Sequence, residues 1–281
     1  MTIRLTILTT VLIVTISALH AQSDSLRVVE LLQKGQREAT APLHLWYAQQ
    51  LIGIPYVGQT LEINKTERLV VNLRELDCTT FVETAIALAL THGQGSTSFS
   101  DYCHNLTLIR YRDGKLNQYP SRNHYFTQWI RSNERQGIVR EISAHKAPFT
   151  ATQRIDLHYM SQHPQYYPML KDDKPAQTLI RKYELEEEGR IVRYIPHSQL
   201  NANKASSLGI IRDGDILAIV TRKDGLDTSH IGFAKWGKDN RLHLLNASQI
   251  HKRVILEPMT LYQYMSEHPT QLGIRVIRVE K

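Results

Sequence analysis

The chain has 281 residues, a formal net charge of +7 and 42% hydrophobic residues, enough for a sizeable core in one large domain or two small ones. Its lysines and arginines are scattered, and it holds no glycine-rich phosphate loop, no His-Glu-x-x-His and no paired Cys-x-x-Cys, which argues against nucleic-acid, nucleotide and metal chemistry. A modest basic excess suits contact with an anionic polymer or a membrane surface instead.

From the N-terminus, Arg4 precedes an apolar run from Leu5 to Leu19 and then His20-Ala21-Gln22-Ser23. That pattern reads as a signal peptide over residues 1–21 with cleavage after Ala21, an uncleaved anchor being the alternative. Arg4 is the only charged residue in that stretch, so its removal takes the charge from +7 to +6. The expected location is outside the cytoplasm, in a periplasm, either free or membrane-associated. Residues 22–281 then form one expected domain.

Residues from about Ser25 to Gly53 should be largely helical with a break near Pro42, and Gly53-Ile54-Pro55-Tyr56-Val57-Gly58 ends that pattern. Leu69, Val70, Val71 and Leu73 lead to Asp77, a good N-cap, and to a helix from Cys78 to about Leu90 with Gly93 as its stop. A thiol at the first helical position meets unpaired N–H groups and the positive end of the helix dipole, which lower its pKa. The alternatives are a small buried residue or a disulfide to Cys103. A long middle section follows, with Ser121-Arg122-Asn123-His124-Tyr125-Phe126-Thr127-Gln128-Trp129-Ile130 and a tyrosine- and histidine-rich stretch around Tyr166, expected to serve packing.

The last third changes character. Asp213-Gly214-Asp215 turns into Ile216–Val220, and His230–Trp236, Leu242–Ala247 and Ile274–Val279 read as further strands, the first two of these joined by a hairpin at Gly237-Lys238-Asp239-Asn240. Helices followed by a mostly antiparallel sheet make an α+β layout. His230 opens a strand, with Gly232 and Ala234 on its face by alternation, expected to leave room for a helix to pack closely. Asn246 returns to the level of His230 on the next strand, and His243 is the alternative partner. A thiol, an imidazole and a carboxamide in this order is an arrangement that recurs in cysteine hydrolases.

These words, Gly53-Ile54-Pro55-Tyr56, Leu76-Asp77-Cys78, Asp213-Gly214-Asp215-Ile216, Ser229-His230-Ile231-Gly232-Phe233 and Leu244-Leu245-Asn246-Ala247-Ser248, occur in order over roughly residues 40–280. They resemble the NlpC/P60 superfamily of cell-wall cysteine hydrolases, and more closely its N-acetylmuramoyl-L-alanine amidase-like branch. The resemblance implies a papain-like fold and no cofactor or metal, with peptidoglycan or muropeptide fragments as substrate and the oligomeric state left open. It makes Cys78 the nucleophile, His230 the general base and Asn246 the group that holds the imidazole. Tyr56 would shape the oxyanion region with the Cys78 backbone N–H, and Asp77, Thr79 and Ser229 would line the rim.

Two departures stand out. Common members follow the nucleophile with Ser-Gly, where this chain has Thr79-Thr80. The spacing from Cys78 to His230 implies an insertion at about residues 104–200, which the resemblance suggests narrows or walls the cleft. Within it Arg122, His124 and Tyr125, with Asn123 and Trp129, could contact a sugar or carboxylate, or could simply form a capped helix start with a packed aromatic face. Glu83 is expected to be structural. Cleavage between D-glutamate and a diamino acid is the near rival activity, and a wall-binding module without turnover is the rival from another class.

Overall fold

The computed structural model describes residues 24–280; the expected signal peptide lies outside them. Helix α1 occupies residues 24–38 and α2 spans Leu43–Gln50, so the helical start and its break near Pro42 are both present. Helix α3, Cys78–Gly93, is set by a reciprocal cap. Asp77 Oδ1 accepts from the Thr80 N–H at 2.8 Å, and Thr80 Oγ1 accepts from the Asp77 N–H at 2.9 Å, which satisfies donors that a helix start otherwise leaves bare. The turn after the helix falls at Gly95, whose φ of +71° suits a residue without a Cβ. Helix α4, Phe99–Arg110, is capped by Ser98, and α5 covers Phe126–Arg135.

The remaining elements are strands β1 (Val139–Ile142) and β2 (Ala151–Arg154), helices α6 (Tyr159–Gln162) and α7 (Lys174–Leu185), and strand β3 (Ile191–Pro196). Then come β4 (Ile216–Thr221), β5 (Thr228–Trp236), β6 (Leu242–Ser248), β7 (Arg253–Leu256), α8 (Leu261–Ser266) and β8 (Gln271–Val279). The strands join in the order β2-β3-β8-β4-β5-β6-β7, with β1 also paired to β8, and every pairing is antiparallel. The chain is therefore α+β, as expected.

The segment expected as an insertion, residues 104–200, is woven into this architecture. Its β1 pairs with Val276–Val279 of β8 and its β3 with Gly273 and Ile274 of the same strand. Its α5 buries Trp129 and Ile130 in the main core. The stretch around α6 and α7 has an apolar cluster of its own, built on Tyr125, Leu157, Met160, Leu170 and Ile180.

The sheet is apolar on both faces. Ile216, Ala218, Ile231 and Phe233 pack under α3, where Phe81 meets Phe233 edge-on at 5.6 Å between ring centroids. Leu217, Ile219, Ala234, Leu244 and Val276 form the opposite core with Leu261 and Tyr264 of α8. This corrects one expectation. Ala234 lies on the face away from α3, so the small residues beside His230 do not seat that helix. Gly232 is needed for a neighbouring strand instead: a Cβ there would stand 2.7 Å from the Leu245 carbonyl oxygen and 2.9 Å from Asn246 Cβ.

Candidate active site

Cys78 is the first residue of α3 and is partly buried. Both cysteines are free, so no disulfide ties Cys78 to Cys103 of α4. The thiol sulfur is hydrogen-bonded by the backbone of Ile231 and by the hydroxyl and backbone of Thr79. Ile231 can serve it because β5 pairs with β6 only from Phe233 onward, leaving the first residues of β5 without a β6 partner.

The strand start carries a second irregularity. Ile219 faces His230 while the next residue, Val220, faces Thr228, so Ser229 is an extra residue on β5. A bulge of this kind re-aims the side chains around it. From that position His230 Nε2 lies 2.9 Å from Asn246 Oδ1. One residue beyond the last register pair, Phe233 with Leu245, Gly232 lies beside Asn246, so the bond runs diagonally between strands across the space the glycine leaves open.

Asn246 is fully buried, and its Nδ2 donates to the Leu244 carbonyl at 3.3 Å. The carboxamide therefore presents Oδ1, an acceptor, to the imidazole, and Nε2 must carry the proton. Nδ1 is left as the free base. His243 takes no part, since its ring bonds the Glu257 carbonyl and Asp239.

The electrostatics reverse one expectation. Burial, reinforced by the Asp77 carboxylate, pushes the Cys78 thiol up to about 12, against the opposing bonds from Ile231 and Thr79. Burial also holds His230 below its usual range, with Asn246 pulling the other way. Desolvation outweighs the helix start, and the pair rests as neutral thiol and neutral imidazole.

Tyr56 is held near the start of α3, bridged to Leu76. Flanking bonds from Val57 N–H to the Leu76 carbonyl and from Leu76 N–H to the Pro55 carbonyl lock its segment to the approach to α3. Burial, then the nearby Cys78 and Asp77, raise its phenol to about 12, so it is a hydroxyl donor throughout neutral pH.

Cys78, Thr79, Ser229 and His230 line one side of a cavity of about 240 Å³. The far wall comes from the middle section, with Tyr119, His124, Tyr125, Phe126, Trp129 and Tyr167. Here the sequence expectations divide. Ser229 is exposed at the rim and Thr79 bonds the sulfur. Asp77 Oδ1 is engaged in the helix cap, and Asp77 is not among the residues lining the cavity. Arg122 is buried between Glu62 at 2.6 Å and Glu67 at 2.5 Å, so it is no free ligand for a substrate carboxylate.

Tyr125 lines the cavity with its ring, but its hydroxyl donates to Glu184 at 2.7 Å and accepts from the Met160 N–H at 2.8 Å. His124 also lines the cavity. Its Nε2 donates to the Tyr119 carbonyl at 2.9 Å, and burial together with Arg122 lowers it to about 3, so it stays neutral.

Three cavity residues had no signal in the sequence or a misleading one. Glu62 lies 60 residues from its partner Arg122. Tyr167 lines the wall although its stretch read as packing, while Tyr166 is 57% exposed. Asp227, three residues before His230, is buried and accepts from the Thr127 N–H and, at 2.8 Å, the Thr228 N–H. Glu83 is structural as expected, paired to Arg110 at 2.7 Å with both side chains 3% exposed. Among the described residues no three His, Cys, Asp or Glu side chains are grouped to hold a metal ion.

Residues 47–274 match the family model described as AmiA-like, N-acetylmuramoyl-L-alanine amidase-like. Among solved structures, an N-acetylmuramoyl-L-alanine amidase from Bacteroides uniformis ATCC 8492 is 38% identical, with a TM-score of 0.78 over 85% of this chain and 99% of that one. A Bacteroides fragilis protein described provisionally as a xylanase is 40% identical, with a TM-score of 0.77 over 84% of this chain and all of the other. A Legionella pneumophila protein at 23% identity and a TM-score of 0.70, covering 94% of this chain and 97% of that one, shares the fold. A search of the curated proteins gives no match.

Proposed function

The chain belongs to the AmiA-like, N-acetylmuramoyl-L-alanine amidase-like family, and on that premise we propose that it is an exported cysteine hydrolase cutting the amide between N-acetylmuramic acid and L-alanine in peptidoglycan or its fragments. The observation that carries the reading is the imidazole. A buried carboxamide of fixed orientation bonds His230 Nε2, which leaves Nδ1 basic in the cavity that also holds Cys78.

Nδ1 takes the thiol proton as sulfur attacks the lactyl carbonyl, so that no charge is stranded on a buried thiolate before the bond forms. The oxyanion would meet the Cys78 backbone N–H, which the helix start leaves free of an intrahelical partner, and the Tyr56 hydroxyl. Collapse breaks the C–N bond, and the proton on Nδ1 passes to the departing L-alanine amine. Water then attacks the thioester, gives its proton to His230, and releases the muramic acid carboxylate and the thiol. Thr79 and the Ile231 N–H steady the sulfur through both steps. A papain-like, NlpC/P60 arrangement of thiol helix and imidazole strand is part of the same proposal.

The xylanase description of the Bacteroides fragilis relative fits this cavity less well. Glycoside hydrolysis needs two carboxyl groups facing the bond. Glu62 is engaged by Arg122 and Asp227 by backbone N–H groups of Thr127 and Thr228.

The test is to incubate residues 22–281 with defined muropeptides and weigh the products. A free peptide with an L-alanine N-terminus supports the amidase, while a free diamino acid terminus means the γ-D-glutamyl endopeptidase. Binding without turnover, unchanged in Cys78→Ala, means a wall-binding module.

A further inference from the structure

The part of β5 that carries His230 is paired on one side only. Strand β6 joins β5 from Phe233 to Trp236, and on the β4 side the ladder slips by one residue at Ser229. Three residues ahead of the imidazole stands Asp227, 2% exposed and without a part in the chemistry above. Its two carboxylate oxygens serve different elements. Oδ1 accepts the N–H of Thr228, the first residue of β5, at 2.8 Å. Oδ2 accepts the N–H of Thr127, in the first turn of α5, at 2.5 Å.

Tyr125, at the N-cap of α5, offers no side-chain cap, so a bare N–H of that helix is satisfied from 100 residues away. Thr127 is also gripped by its hydroxyl. Arg275 of β8, 1% exposed, donates to Thr127 Oγ1 at 2.7 Å and to the two oxygens of Glu141 in β1 at 2.6 and 2.9 Å. The Asp227 carbonyl accepts from Gln153 Nε2 of β2 at 3.0 Å. Asp227 is thus fixed to β2 and, through Thr127, to β8 and β1. A residue that only capped α5 would need one acceptor, whereas Asp227 gives its second to the strand of the imidazole. Both ends of this tie reach the cavity, with Phe126 and Trp129 from α5 and Thr228, Ser229 and His230 from β5.

We propose that Asp227 is a positioning residue for His230. Its carboxylate pins the entry of β5 to α5, so that the ring keeps Nε2 on Asn246 and Nδ1 free for the thiol proton. The proposal rests on the thiol–imidazole chemistry of the amidase reading, and not on which amide is cut.

Asp227→Asn tests it at nearly constant shape, because a carboxamide has one acceptor oxygen and must turn its NH2 toward one of the two N–H groups. The first readout is the His230 ring in protein carrying 15N-labelled histidine, assigned by its loss in His230→Gln. At about pH 8 the ring is neutral; the parent should show one tautomer, protonated on Nε2, and the variant a mixture of two. The second readout is turnover of N-acetylmuramoyl-L-alanyl-D-isoglutamine. There kcat should fall about tenfold, short of the ~10²-fold that a 1 Å misplacement can cost. KM should change less, since Trp129 and Ile130 keep the far wall seated in the main core. Asp227→Ser, smaller and with a single side-chain oxygen, is the second variant should the carboxamide not fold. Ring signals identical to the parent's, or a loss confined to unfolding temperature and KM, would overturn the proposal and leave Asp227 a cap of α5. If the parent protein leaves this muropeptide uncut or cuts it elsewhere, the amidase reading fails by itself, and the ring signals still decide the role of Asp227.

Discussion

On the thiol side of the cavity, side chains are placed by devices that act within one helical turn or between neighbouring strands: the Asp77–Thr80 cap, the bulge at Ser229 and the diagonal reach from His230 to Asn246 past Gly232. Across the cavity, the wall is placed by partners far away in the chain, with Arg122 gripped by Glu67 and Glu62 at separations of 55 and 60 residues and Tyr125 by Glu184 at 59. The first side keeps its polar groups available for chemistry. The second engages most of its own polar groups in holding itself together.

The division can be broken by mutation. The largest effect is expected at the thiol, where Cys78→Ala should abolish turnover, a loss of at least about 10³-fold in kcat/KM, with the unfolding temperature nearly unchanged. Wild-type activity in that variant would move the chemistry to another residue.

Arg122→Ala should behave oppositely. It strands two carboxylates, Glu62 and Glu67, in a low-dielectric site and should cost about 3–5 kcal/mol of stability in a urea titration. A raised KM with intact stability would restore Arg122 as a substrate ligand.

Asn246→Ala should lower kcat by about 10²-fold through loss of imidazole orientation, with KM little affected. Gly232→Ala is milder. The new Cβ must push against the Leu245 carbonyl and Asn246, so about 1–3 kcal/mol of stability should go, together with a smaller fall in kcat. If Gly232→Ala left both stability and rate intact, the diagonal bond would not depend on that space.

The smallest change is one of pH. His230 sits below 6.5, and only its neutral form can accept the thiol proton, so kcat/KM should hold through neutrality and fall on the acid side of 6.5. Iodoacetamide labelling of the resting protein should climb only above pH 9, because the thiol lies near 12. Labelling that persists at pH 6 would return Cys78 to the thiolate expected from its helix position.

What could be read in the sequence follows the same line. The helix from Cys78, its Asp77 cap, the strands holding His230 and Asn246 and the α+β layout all depend on short-range rules of capping, alternation and turns. Strands β1, β2, β3 and β7 are not legible there because they are four to six residues long, and the pairings of β1, β2 and β3 lie far away in sequence. The roles of Arg122 and Tyr125 escaped for a similar reason, since nothing local to either residue announces Glu62, Glu67 or Glu184. The direction of the thiol shift needed its burial, which no sequence pattern near Cys78 encodes.

The most direct test follows the acyl group. The protein is mixed with a muropeptide, quenched in acid within milliseconds to seconds, and the peptide containing Cys78 is weighed. The expected result is a muramoyl-lactyl adduct on Cys78, with a free L-alanine amine in the released peptide. An adduct containing D-glutamate, or turnover that continues in Cys78→Ala with no adduct at all, would contradict the proposal.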